Sequence, residues 1–175
     1  MENPEVAGKS AGYSIVHRDP NSLTPDELEN VVELLRKGAA VNPQSASAEI
    51  PQSVGLVMAM RGDEIVGIGT IKRARPRYAS SIQNKSKAAF SKDLPELGYV
   101  AVSKEHRNNR ISQQIVSCLL QEAPKDLFAT TDDERMKRTL RRFGFAQHGK
   151  QWKGRRGILT LWLYSASAGS KPSGD

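Results

Sequence analysis

Two apolar runs, residues 54–61 and Glu64–Lys72, are separated only by Gly62-Asp63. A connector of that length and composition closes a primed β-turn, so the flanking runs must pair as antiparallel strands. A chain containing such a hairpin is not a wholly parallel, doubly wound sheet, whose strands would alternate with helices throughout. The remaining elements are read around this hairpin. Tyr13–His17 precedes it as a strand. Thr24 then opens a helix, with Pro25 at its first position and Glu27 completing a capping box. Leu28, Val31, Val32 and Leu35 lie at i, i+3, i+4 and i+7 and form one apolar stripe, and Gly38 is placed to stop the helix. A short helical turn is expected near Ala46.

After the hairpin, residues 72–92 read as a long basic loop and residues 97–103 as a buried strand. A helix over Ile111–Glu122 follows, with Ser112, Ile115, Val116 and Leu119 on one face and Pro124 as its stop. Leu127–Thr131 is the next strand. Asp132 or Asp133 caps a helix that buries Met136, Leu140 and Phe143 and ends at Gly144. Residues 145–152 and Ile158–Tyr164 close the chain as strands. The order β-α-β-β-β-α-β-α-β-β implies an α+β (mixed α/β) class: a central, mostly antiparallel sheet flanked by helices. Residues 13–164 are expected to form one domain between a flexible N-terminal tail, 1–12, and a disordered C-terminal tail, 165–175.

Charge divides unevenly along the 175 residues. The first 71 carry ten acids and five bases, the remainder nine acids and twenty-one bases. Two stretches hold no acid: 72–92, with seven bases, and 137–156, with eight. Such polarity faces an anion, either nucleic acid or a phosphorylated cofactor, or it is a solvated basic face. Tyr78, Phe90 and Trp152 lie among these bases, as stacking platforms for nucleic acid or, more simply, as core residues. The lone Cys118 excludes a disulfide framework and a paired-cysteine zinc site, and as part of an apolar helix face it reads as a core residue. His17, His106 and His148 have no metal-ligand spacing, so no metal is expected. No apolar stretch is long enough to span a bilayer, and the first dozen residues lack a signal peptide's charged start and apolar block. The expected location is the cytoplasm.

Three short matches carry no chemistry. Gly8-Lys9-Ser10 lacks the first glycine and the preceding strand of a phosphate-binding Walker loop. Gly67-Ile68-Gly69 sits inside a strand and lacks the third glycine of a dinucleotide fingerprint. Arg61-Gly62-Asp63 is the hairpin turn. The segment that does carry chemistry runs from Glu96 to Ser112: a buried strand, a tight basic turn and a helix N-terminus. That arrangement aims free backbone N–H groups and the positive end of a helix dipole at one point, with Arg107 and Arg110 adding charge. It is an anion site, or else an ordinary turn whose Asn108-Asn109 serve geometry.

The same segment resembles the GNAT superfamily of N-acetyltransferases, whose signature after a strand is R/Q-x-x-G-x-G/A at a helix start. The six positions here are Arg107, Asn108, Asn109, Arg110, Ile111 and Ser112, with Arg110 standing for the first glycine. Downstream, the strand Leu127–Thr131, Asp133, Met136, Leu140 and Gly144-Phe145 are similar to the family's strand, Asn-led helix and Gly-Phe, with Leu140 where many members carry Tyr. In element order the resemblance spans residues 13–164 and implies a sheet splayed between the fourth and fifth strands.

The resemblance implies acetyl-CoA as co-substrate and direct transfer of acetyl to a primary amine in a ternary complex. Val100, Ala101 and Val102 would hold the pantetheine arm by backbone contacts, and Arg107, Asn108, Asn109, Arg110, Ile111 and Ser112 the pyrophosphate, with Asp133 nearby. Glu96, at the head of the fourth strand, would be the base that frees the amine. Strand alternation puts Glu96, Gly98, Val100 and Val102 on one face and Tyr99 on the other. With Leu140 in place of the usual Tyr, Asp133 or a water would return the proton to the departing thiolate, and spacing singles out neither. Arg73, Arg75 and Arg77 alternate around Pro76 and, in an extended chain, would share a face and recruit an acidic or nucleic-acid-associated acceptor. The other function class compatible with Arg110 and Leu140 is a catalytically inactive GNAT-fold protein that binds nucleic acid or a protein partner.

Overall fold

The computed structural model describes residues 6–10, 12–38, 41–122 and 126–169. The chain divides into two compact units. The first contains strands β1 (Val6–Ser10), β2 (Tyr13–His17), β3 (Gly55–Arg61) and β4 (Glu64–Lys72), helices α1 (Pro25–Gly38) and α2 (Pro43–Glu49), strand β5 (Glu96–Val102) from Leu97 onward, and helix α4 (Ile111–Glu122). The second contains helix α3 (Pro76–Ser86), the first residue of β5, strand β6 (Leu127–Thr131), helix α5 (Glu134–Arg142) and strands β7 (Ala146–Lys153) and β8 (Ile158–Tyr164).

In the first unit β1 to β4 form an antiparallel meander, with β5 beside β4. The hairpin closes at Arg61↔Glu64, as Gly62-Asp63 requires. α1 begins with the expected reciprocal cap: Thr24 Oγ1 accepts from Glu27 N–H at 3.1 Å, and Glu27 Oε2 accepts from Thr24 N–H at 2.9 Å. Its buried stripe is Val31, Leu34 and Leu35, packed with Ala46, Ile50, Leu56, Met58 and Ile68. Leu28 and Val32 are only half-buried, so the stripe is rotated slightly from the sequence pattern. α4 lies against β3 and β4. Gly67 and Gly69 make this possible. A Cβ at Gly69 would overlap Ile115 and stand 3.0 Å from Leu119. These glycines therefore admit a helix at close approach rather than a dinucleotide.

In the second unit the order is β6-β8-β7 with antiparallel pairing, and Glu96 pairs parallel with Phe128 of β6. Ile82, Phe128 and Leu161 form the core, with Tyr78, Phe90 and Trp152 packed against it. The aromatics among the bases are thus core residues. Asp133 caps α5, its Oδ1 accepting from the N–H groups of Arg135 (2.7 Å) and Met136 (3.4 Å). α5 ends in a Schellman motif: Phe145 N–H reaches Leu140 O at 3.0 Å and Gly144 N–H reaches Arg141 O at 3.1 Å, with Gly144 at φ +91°. The Gly-Phe pair is explained physically, the glycine by its left-handed backbone and Phe145 by its burial.

Three sequence expectations are corrected. Residues 6–10, assigned to a flexible tail, form β1 on the edge of β2. Ala166–Gly169, assigned to a disordered C-terminal tail, form a short 3₁₀ helix; residues 1–5 and 11, and 170–175 of the C-terminal tail, lie outside the described residues, as does Pro124. Residues 72–92 are not a long loop, because α3 fills their middle. Pro76 stands at its first turn, Ala79, Ile82 and Ser86 are its buried residues, and Lys87 caps it in the left-handed conformation at φ 58°. Pro76, read as part of an extended stretch, starts a helix.

Candidate active site

β5 leads into a single-turn 3₁₀ helix (Lys104–His106) and then a four-residue bend before α4. Asn108 and Arg110 both take the left-handed conformation, at φ 67° and 58°. Arg110 O accepts the first α4 hydrogen bond, from Gln114 N–H at 3.1 Å. Residues 107–110 are exposed. The amides at the start of α4 have no intrahelical acceptor and point out of the helix with the positive end of its dipole. Arg107 and Arg110 flank these amides in sequence, so the bend carries positive charge beside a helix N-terminus, the arrangement that suits an anion. Arg107 also returns a hydrogen bond from Nε to Val102 O at 3.3 Å, which ties the bend to β5.

A network from β2 holds the bend in place. Tyr13 Oη lies 2.9 Å from His106 Nδ1, in a buried pair. Asn109 Nδ2 donates to His106 O at 3.0 Å, with Arg107 O at 3.3 Å and Tyr13 Oη at 3.4 Å also within reach. Arg61 sits 5.7 Å above the Tyr13 ring. Asn109 therefore fixes the backbone of the bend instead of offering its amide to a ligand. Nothing local in the sequence announces this, since Tyr13 and His106 are 93 positions apart.

The β5 backbone is not regular. Tyr99 has φ 52°, an outlying value for a large side chain in a strand. The two-residue alternation expected from Glu96 to Val102 does not carry across it. Tyr99 instead meets α2 and β4: its hydroxyl donates to Glu49 Oε2 at 2.7 Å, Lys72 Nζ lies 3.6 Å from the same oxygen, and that ammonium is 3.8 Å from the ring centroid. Thr70 Oγ1 donates to Gly98 O at 2.7 Å and holds β5 to β4 just before the kink. This carboxylate–phenol–ammonium cluster was missed in the sequence because its members come from three separate elements.

Within the second unit, Glu96 is buried at 7% exposure and its Oε2 accepts from Arg75 Nη2 at 3.1 Å. Arg75 also lies 4.2 Å over the Tyr78 ring. The expected trio of arginines is thus dispersed and not on one extended face. Arg73 donates from Nε to Gln52 O at 3.4 Å, Arg75 is committed to Glu96, and Arg77 is exposed in the first turn of α3. Among the described residues, no group of three or more His, Cys, Asp or Glu is arranged to hold a metal ion, and no helix is long and apolar enough to cross a membrane.

The family model of the acetyltransferase (GNAT) family matches residues 23–145. The chain belongs to the GNAT family. Its mixed α/β fold is also that of solved family structures at low identity. A GNAT acetyltransferase from Streptococcus agalactiae superposes with a TM-score of 0.68 at 12% identity, over 93% of this chain and 98% of that one. NAA60 of Arabidopsis thaliana, solved with a bisubstrate analogue, gives 0.63 at 14%, over 86% and 97%. FeeM, an N-acyl amino acid synthase from uncultured soil microbes, gives 0.67 at 13%, over 89% and 91%. No curated protein matches the chain in sequence.

Against the GNAT signature, the departure at Arg110 acquires a physical meaning. The family's glycine falls where this backbone turns left-handed, and here an arginine bears that conformation. Leu140, at the position many GNAT members give to Tyr, is fully buried and has no proton to supply. Asp133 uses one carboxylate oxygen to cap α5.

Proposed function

We propose that this GNAT domain is a CoA-dependent N-acyltransferase that moves acetyl from acetyl-CoA to a primary amine by direct attack. The observation supporting this most is the basic bend at residues 107–112, built on a helix N-terminus directly after β5. It suits the cofactor's pyrophosphate, with Arg107 and Arg110 as charged partners. The backbones of Val100, Ala101 and Val102 would take the pantetheine arm. The thioester is attacked only by a neutral amine, so a nearby base is required. Glu96 is one candidate, although reaching a substrate means leaving Arg75. The basic charge of residues 72–175 supports an acidic or nucleic-acid-associated acceptor, with Arg73 and Arg77 as its first contacts.

Isothermal titration with acetyl-CoA tests the cofactor assignment. Micromolar binding is expected, weakened in Arg107→Ala by about 1–3 kcal/mol, the range for a hydrogen bond to a charged group. No binding by the unaltered protein at millimolar acetyl-CoA would favour a GNAT-fold binding protein without catalysis. Glu96→Gln should leave acetyl-CoA affinity unchanged; lower turnover would assign Glu96 as the base, and unchanged turnover would confine it to its pair with Arg75.

A further inference from the structure

The acyl-transfer reading needs two proton transfers, one from the amine, for which Glu96 was the candidate above, and one to the departing thiolate, for which no single donor has been named. Leu140 cannot donate, and Glu96 is buried against Arg75. The cluster at the kink of β5 has the parts for both tasks. We propose that Glu49 and Tyr99 form the proton relay of the reaction, with Lys72 balancing their charge. This rests on the acyltransferase reading above.

Three observations carry it. Tyr99 lies on β5 immediately before Val100–Val102, so its hydroxyl belongs to the strand that would hold the pantetheine arm. Its left-handed backbone departs from the strand's pleat, and its hydroxyl bonds Glu49 at 2.7 Å. An outlier of this kind in a bulky residue is held only where surrounding structure over-determines it, and such residues gather at functional sites. Finally, Glu49 keeps 28% of its side chain exposed to solvent, whereas Lys72 keeps 13%. The ammonium lies against both partners and counters the negative charge that either holds.

The chemistry balances. The lone pair of a neutral amine forms the C–N bond to the acyl carbon while the C–S bond breaks and its electron pair leaves on sulfur. Glu49 takes one proton from the amine nitrogen. It passes a proton to the Tyr99 oxygen as Tyr99 gives its own hydroxyl proton to the thiolate. Carboxylate and phenol are then restored, and the products are an amide and free CoA thiol. An amine that arrives as ammonium releases one further proton to solvent.

The test uses the full chain with acetyl-CoA as donor and hydroxylamine, small enough for any amine pocket, as acceptor, and reads CoA thiol release. Tyr99→Phe keeps the ring under Lys72 and removes only the hydroxyl; Glu49→Gln keeps the shape and removes the proton acceptor. Each should lower kcat about 100-fold, within the range for general acid–base groups, with the dissociation constant for acetyl-CoA changed by less than about twofold. The double variant should fall no further than the weaker single one, because the two act as one unit. Single variants with full turnover, or losses that multiply in the double variant, overturn the relay and leave the acyltransferase reading intact. If the unaltered protein binds acetyl-CoA but releases no thiol with hydroxylamine, the relay is overturned while cofactor binding stands. No binding of acetyl-CoA at all overturns both.

Discussion

Arg110→Gly separates two roles of one residue. In the folded protein Arg110 has φ 58°, and an L-residue in the left-handed region bears about 1–2 kcal/mol of strain. Glycine removes that strain but frees the unfolded chain, which costs about 0.4–1 kcal/mol in return. The net expectation is a stabilisation of about 0.5–1 kcal/mol, or about 1–4 °C in Tm for a domain of this size. Lys87 is the internal control. It has the same φ of 58° as the cap of α3 and is not among the residues proposed to hold the cofactor, so Lys87→Gly should gain as much. Asn108, at φ 67°, belongs to a residue type that tolerates this region, and Asn108→Gly should gain less than either. Urea melts measure all three. In acetyl-CoA titrations Arg110→Gly should weaken binding about 5- to 150-fold, the equivalent of one charged hydrogen bond, while Lys87→Gly leaves it unchanged. If Arg110→Gly is less stable than its parent while Lys87→Gly is more stable, the arginine side chain supports the fold and the strain argument fails. Tighter binding in Arg110→Gly would show that the guanidinium obstructs the phosphates.

Arg75→Ser should lose about 1–3 kcal/mol of stability in urea melts, because it removes a hydrogen-bonded ion pair from the buried Glu96 carboxylate. Arg73→Ser with Arg77→Ser should leave stability alone and raise the acceptor's KM; if the acceptor is nucleic acid, its log–log salt slope should shrink by about 0.7–0.9 for each phosphate no longer neutralised. Gly69→Ala should destabilise by several kcal/mol or prevent folding, since its methyl overlaps Ile115; a melt within about 0.5 kcal/mol of the parent would contradict the close packing of α4. Burial, and secondarily the Glu122 carboxylate, push the Cys118 thiol up to about 11 from 9.0. The fold favours the neutral thiol, so this contribution is intact below about pH 9 and lost as pH rises through 11; Cys118→Ala should flatten stability across that window.

Local signals were legible in the sequence, and long-range ones were not. The Thr24–Glu27 cap, the Gly62-Asp63 hairpin, the bounds of α4, β6 and β8, and the cap of α5 each depend on residues within a few positions of one another. The strand, tight bend and helix start from Glu96 to Ser112 were legible for the same reason. α3 was missed because its polar, basic composition hid the spacing of Ala79, Ile82 and Ser86, and because Pro76 among alternating arginines was read as extended chain although proline also suits a helix's first turn. β1 was missed because a short edge strand has a partner only once β2 is in place. The Glu49–Tyr99–Lys72 cluster had no sequence signature, and regular alternation misdirected the reading of β5: one positive φ at Tyr99 invalidates a rule that holds for every ordinary strand. Glu96 was found by position, but its partner Arg75, 21 residues earlier, was assigned elsewhere.

The Tyr13–His106 bond also sets a schedule for how the protein is made. Tyr13 waits for a residue synthesised 93 positions later, and joining ends that far apart costs about 4 kcal/mol of chain entropy. Until α4 emerges, the glycine floor of β4 has no cover and the bend has no helix to start. The bend at residues 107–110 therefore takes its shape only once the chain has passed the end of α4 at Glu122.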